Sequence, residues 1–186
     1  MSTTEERYEV VGTGSRVRIH TFAEGLFAKL AHDLELTAKV SGHALRQADG
    51  RASFDLELPV ESIEVVGARK SGAVDASALS ASDRGEIIAK MRQDVFRLAA
   101  DGVGAVHITG ELDGGRARAK IDTPRGASAR VEATADVSLR EGKAKVVLGL
   151  DVSLSALGSA QIKGPMGAFR VKDVVQIFVE LELELV

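Results

Sequence analysis

Residues 127–156 read ASARVEATADVSLREGKAKVVLGLDVSLSA. Ala127, Ala129, Val131, Ala133, Ala135, Val137 and Leu139 alternate with Ser128, Arg130, Glu132, Thr134, Asp136, Ser138 and Arg140. After Glu141-Gly142 the alternation resumes, with Ala144, Val146, Leu148, Leu150, Val152 and Leu154 on one side. Successive side chains of an extended strand point to opposite faces, so a period of two describes strands with one dry and one wet face. That is the habit of antiparallel sheet, and a glycine-containing pair between two such runs is hairpin chemistry. The stretch reads as two long strands folded back on one another.

The same period recurs outward from there. In 34–44, Leu34, Leu36, Ala38, Val40 and Ala44 share a face. In 51–58, Ala52, Phe54, Leu56 and Leu58 do so, and near the C-terminus Ile177, Val179, Leu181, Leu183 and Leu185 alternate with Glu180, Glu182 and Glu184. Shorter strands are predicted at 7–12, 15–21, 60–66, 103–112 and 115–122, with turns at Asp49-Gly50 and Asp113-Gly114-Gly115. So many antiparallel strands joined by tight turns leave raw edges unless the sheet closes. The expected fold is therefore all-β: a single antiparallel, lipocalin-like barrel of about eight strands over residues 1–186, with one or two short helices; a sandwich is the alternative. One helix is predicted over 82–97, where Asp83 and Glu86 resemble a capping box and Ile87, Ile88, Met91 and Val95 form a stripe. A shorter helical turn is predicted over 23–31, with Leu26, Phe27 and Leu30 on one face, and 67–81 reads as an exposed loop.

Composition narrows the function. A net charge of −3 in 186 residues argues against nucleic acid as a partner, and the absence of cysteine removes disulfides, thiolate metal sites and thiol nucleophiles. Residues 1–6 show no secretory leader and no apolar run is long enough to span a bilayer, so the chain as written is expected to be soluble and cytoplasmic, without stable membrane insertion; it would be periplasmic had a signal been removed. The four histidines, His20, His32, His43 and His107, are scattered, no G-x-S-x-G elbow occurs, and the glutamates of 180–184 alternate outward. The chain is accordingly expected not to be an enzyme and to need no metal or cofactor. His43 and His107 fall on polar strand faces; His32 suits either a structural hydrogen bond or contact with a ligand headgroup.

The inward faces carry the more specific signal. Six Phe, one Tyr and no Trp are a thin aromatic supply, and Ala117, Ala119, Ala129, Ala133 and Ala135 leave room. Empty volume costs about 24 cal/mol per Å³, so an occupant is expected. It is either the protein itself, through the 82–97 helix or Phe54, Phe96 and Phe178, or an apolar ligand.

Several landmarks then resemble the YceI-like, polyisoprenoid-binding family. They are GLFAKLAHD at 25–33, LPVESIEV at 58–65, LSASDRGEIIAKMRQDVF at 79–96, Leu157-Gly158, MGAFRVKD at 166–173, and the closing Glu/Leu strand. The resemblance implies a lipocalin-like barrel holding a long isoprenoid tail in an internal tunnel, with Leu26, Phe27, Leu30 and His32 near one end, in a family with many periplasmic or secreted members. The candidate ligand-binding set is Leu26, Phe27, Leu30, His32, Leu36, Phe54, Leu56, Met91, Phe96, Ala129, Val131, Ala133 and Phe169, with Lys29 and Arg170 as further headgroup candidates. The implied function is a non-catalytic carrier of an apolar, polyisoprenoid-like molecule. The alternative is a structural or protein-interaction barrel with a self-filled core, and a homodimer is left open.

Overall fold

The computed structural model describes residues 5–25 and 31–186. The alternating runs become β1 (Glu6–Val10), β2 (Arg16–Thr21), β3 (Ala23–Glu24), β4 (Asp33–Ala38), β5 (Ser41–Arg46), β6 (Ala52–Pro59), β7 (Glu64–Lys70) and β8 (Ala73–Asp75). The helix α1 (Ala81–Asp94) follows, then β9 (Ala105–Asp113), β10 (Arg116–Asp122), β11 (Ser128–Arg140), β12 (Lys143–Ser153), β13 (Arg170–Val171) and β14 (Val174–Leu185).

A closed antiparallel ring runs β1-β5-β6-β9-β10-β11-β12-β14 and back to β1, where Tyr8 faces Leu185 and Val10 faces Leu183. This is a barrel, and the sandwich is set aside. Strand β14 is long enough to serve two neighbours on one edge: its C-terminal part pairs with β1, and Gln176–Glu180 pair with β2. From β2 the wall continues through β4, β7 and β8 at what we term the upper end. Lys39-Val40 separates β4 from β5, and a 3-10 turn at Val60–Ser62 separates β6 from β7. Val60 in that turn is 0% exposed and donates its N–H to Gly104 O at 2.8 Å, tying the bend to the start of β9.

One seam is only partly joined. Strand β11 pairs with β10 over Ser128–Asp122 to Thr134–Arg116, but with β12 only from Ala135–Leu148 to Arg140–Lys143. Strand β12 beyond Leu148 is bonded to β14 alone. The lower interior is filled by side chains: Tyr8, Leu56, Ala117, Leu181 and Leu183 are buried, and the Phe54 ring lies across Gly110. A Cβ at Gly110 would overlap the Arg118 carbonyl oxygen and sit 2.6 Å from Phe54 Cζ, so this cross-strand pair requires glycine.

The structure corrects three local expectations and leaves the helical face expected over 23–31 outside the described residues. Residues 67–81 are not a loop: β7 runs to Lys70, turns through Ser71 (φ 52°) and Gly72 (φ 83°), and returns as β8. Two left-handed residues make the tight hairpin turn whose twist matches the strands, as Glu141 and Gly142 do between β11 and β12. The capping box of α1 is Ser80 with Asp83, not Asp83 with Glu86, and the helix ends at Asp94, leaving Val95 and Phe96 buried just past it. In 23–31, Ala23–Glu24 form β3 against β13, while Leu26, Phe27, Lys29 and Leu30 lie outside the described residues. Phe178 does not reach into the barrel. It lies on the outer face against His20, ring centroids 4.8 Å apart.

Candidate ligand cavity

Strands β2 and β4 present Ile19, Thr21, Leu34 and Leu36 inward at the upper end, because residues two apart share a face. Val152 of β12 and Val175 and Ile177 of β14 complete this part of the wall. Above it lies α1, whose Asp83, Glu86, Ile87, Lys90 and Met91 follow the three- and four-residue spacing of one helical face. The irregular segment after β12 closes the remaining side with Leu154, Leu157, Ile162 and Phe169. Together they line a partly open cavity of about 720 Å³, apolar in its walls, with Thr21, His32, Asp83, Glu86, Lys90 and Lys163 as its polar groups.

No residue of α1 is fully buried, so the helix depends on specific ties. The Arg84 guanidinium donates to the carbonyls of Val65, Val66 (3.0 Å) and Ala76, fastening the start of α1 to β7 and the turn after β8. At the other end the Asp94 carbonyl accepts from the Ala160 N–H at 3.0 Å and the Ser159 hydroxyl at 3.2 Å. Lys90 Nζ is held by Asp94 at 2.9 Å, a partly exposed i, i+4 pair that contributes little to stability.

Behind the β2–β4 wall, on the outer face, sits a buried polar pair. His20 is 6% exposed, and its Nε2 is 2.9 Å from Glu35 Oε2. Burial lowers the His20 pKa below 6.5, the Arg69 charge lowers it further, and the Glu35 contact opposes both. The net shift leaves the imidazole neutral at pH 7, so the contact is a hydrogen bond donated by Nε2–H to the carboxylate rather than a full ion pair. Arg18 lies over the Phe178 ring at 5.5 Å and adds to the positive surroundings.

Of the residues predicted from sequence, His32, Leu36, Met91, Phe96 and Phe169 line the cavity. Phe54, Leu56, Ala129, Val131 and Ala133 do not; Leu56 and Ala129 are buried, and Phe54 and Val131 pack against the core. Arg170 turns to Glu24, 3.8 Å away, and is not in the lining. Sequence reasoning missed Ile19, Leu34, Ile63, Ile87, Val152, Leu157, Ile162, Val175 and Ile177. Ile19, Leu34, Ile87, Val152 and Ile177 lay in patterns already visible as strand or helix faces, whereas Leu157 and Ile162 sit in irregular chain with no periodic signal. Among the described residues no group of three or more His, Asp or Glu is placed to hold a metal ion, and no helix is long and apolar enough to cross a membrane.

No family model matches the chain, and no curated protein matches it. The crystal structure of Burkholderia cenocepacia BcnA superposes with a TM-score of 0.62 over 93% of this chain and 98% of that one. The chain has the fold of BcnA. That likeness supports the antiparallel barrel expected from the sequence; at 15% identity it concerns fold alone, since function resides in a site rather than an architecture.

Proposed function

We propose that the chain is a non-catalytic binding protein that holds an apolar, polyisoprenoid-like molecule in the cavity beneath α1. The observation that carries this reading is the cavity itself: about 720 Å³, with aliphatic and aromatic walls and a few polar groups. Small-molecule sites are typically about 300–1,000 Å³, largely apolar, with a small number of polar groups that set orientation. Burial of a hydrocarbon tail supplies about 0.8 kcal/mol per CH₂, part of which is lost in ordering the tail. His32, Lys90 and Lys163 are the groups we assign to a polar headgroup.

The test is native mass spectrometry and solvent extraction of the purified protein, together with titration by the apolar fluorophore N-phenyl-1-naphthylamine. Ile87→Trp introduces bulk into the space from the helix side, and we expect it to weaken the fluorophore at least tenfold while leaving the unfolding midpoint nearly unchanged. A second reading, a self-filled barrel serving a structural or protein-interaction role, draws on the lower interior, where Phe54 over Gly110 already does the filling. It prevails if no apolar molecule co-purifies and the fluorophore does not bind.

A further inference from the structure

The partly joined seam between β11 and β12 leaves two strand edges facing one another without a ladder. Residues 128–134 of β11 are bonded to β10 and residues 149–153 of β12 to β14, each on one side only. The opening is bounded below by the Ala135–Leu148 pair and above by residues 154–160, which are tied to the end of α1 through Asp94. At about 3.3 Å per residue, its β11 lip is roughly 20 Å long.

Three features distinguish this seam from a fray. It runs along the first half of β11 and the last five residues of β12, and both stretches stay fully bonded on their other edges, to β10 and to β14. Its β11 inner lip is built from small side chains, Ala129, Val131 and Ala133, and Val131 and Ala133 remain partly exposed although they alternate with the outward Arg130, Glu132 and Thr134. Its β12 lip leads directly into the cavity, because Val152 and the adjoining Leu154 are cavity walls. The upper end, by contrast, is fastened: Arg84 bonds three carbonyls at one end of α1, and Asp94 is held at the other.

We infer that the β11–β12 seam is the lateral portal through which an elongated apolar molecule reaches the cavity, with α1 acting as a fixed roof rather than a moving door. This rests on the binding reading above. A tail sliding sideways between the lips meets small apolar side chains inside and the charged Arg130, Glu132 and Asp151 outside, so it leaves water gradually and the lid ties stay intact. The alanines noted in the sequence then serve the passage to the cavity rather than the cavity itself.

The chain contains no cysteine, so a pair can be introduced cleanly. Continuing the Ala135–Leu148 register places Glu132 across the seam from Asp151, both exposed. The Glu132→Cys/Asp151→Cys protein is bridged with a short bismaleimide, the bridge is verified by mass, and uptake of N-phenyl-1-naphthylamine is followed by stopped-flow fluorescence. Ser138→Cys/Lys145→Cys, bridged across the joined part of the same seam, is the control. We expect the Glu132–Asp151 bridge to slow association at least tenfold with less than a twofold change in equilibrium affinity, and the control bridge and Arg84→Met to leave the association rate unchanged. An unaltered association rate in the Glu132–Asp151 bridge, or an acceleration by Arg84→Met, overturns the portal. If the unmodified protein does not bind the fluorophore at all, the binding reading itself has failed and the portal fails with it.

Discussion

Arg84 is the residue whose removal tests how the cavity is roofed. Substitution by Met keeps the aliphatic stem and removes the donors that reach Val65, Val66 and Ala76. A hydrogen bond involving a charged group contributes about 1.5–3 kcal/mol. The Ala76 contact is exposed and is counted as nothing, because water replaces it; the two part-buried contacts, at the low end of that range, come to about 3 kcal/mol. Since α1 has no fully buried residue, most of this loss falls on local opening of the helix rather than on global unfolding. At about 1.4 kcal/mol per factor of ten, opening of α1 becomes on the order of a hundred times more frequent. Native-state hydrogen exchange reads this directly: the α1 amides of Arg84→Met should lose about two decades of protection while those of β12 and β14 keep theirs. Unchanged α1 protection would refute the staple, and an equal loss throughout the barrel would show that α1 does not open as a separate unit.

Three further outcomes follow from individual contacts. The His20 pKa is depressed on folding, so the unfolded chain takes up the proton first: stability is complete above about pH 6.5 and falls as the pH drops toward the folded value. Urea midpoints should decline between pH 7 and 5 in the parent protein and do so less in His20→Asn; the depressed carboxylates, among them Asp83, Asp122 and Asp173, contribute only at lower pH, below their ordinary value of 3.8. Ser80→Ala removes one half of the α1 capping box and should cost about 1 kcal/mol, visible as fraying of the first helical turn by hydrogen exchange. Gly110→Ala drives a methyl group into the Arg118 carbonyl and the Phe54 ring, and by the usual cost of overpacking should lower stability by about 1–3 kcal/mol; combining it with Phe54→Leu should recover only the part due to the ring, because the carbonyl cannot withdraw.

The strand pattern was legible because burial on one face writes itself into every second residue, and Ala127–Leu139 or Ile177–Leu185 needed no other information. Closure was also legible, as the consequence of many edges with nothing else to cover them. What escaped was anything depending on partners distant in the chain. The hairpin at Ser71-Gly72 joins strands that alternate poorly, Gly67 and Ala68 being buried in succession beside the irregularity at Glu35–Leu36. Leu157 and Ile162 reach the cavity from irregular chain, where no periodicity marks a facing direction. His20 lies on the outward face of β2, which alternation alone assigns to water, and only the assembled sheet reveals Glu35, Arg69 and Phe178 around it. The alanine-rich strand was read as leaving room inside the barrel, but none of Ala117, Ala119, Ala129, Ala133 and Ala135 lines the cavity, which lies among larger side chains.

The long strand β14 also governs the order in which the molecule can be assembled. It is the shared neighbour of β12, β2 and β1, all of which are made before it. None of those edges can be satisfied natively until residues 174–185 have been made. At about 5–20 residues per second, the ribosome needs roughly two to six seconds to proceed from the end of β12 to the end of β14. During that interval the nascent chain carries three unpaired β edges, one of them, β2, alternating Val17 and Ile19 with arginine. Arg16 and Arg18 on that waiting strand hold neighbouring copies apart by like charge until β14 brings Glu180 opposite Arg16 and Phe178 opposite Arg18.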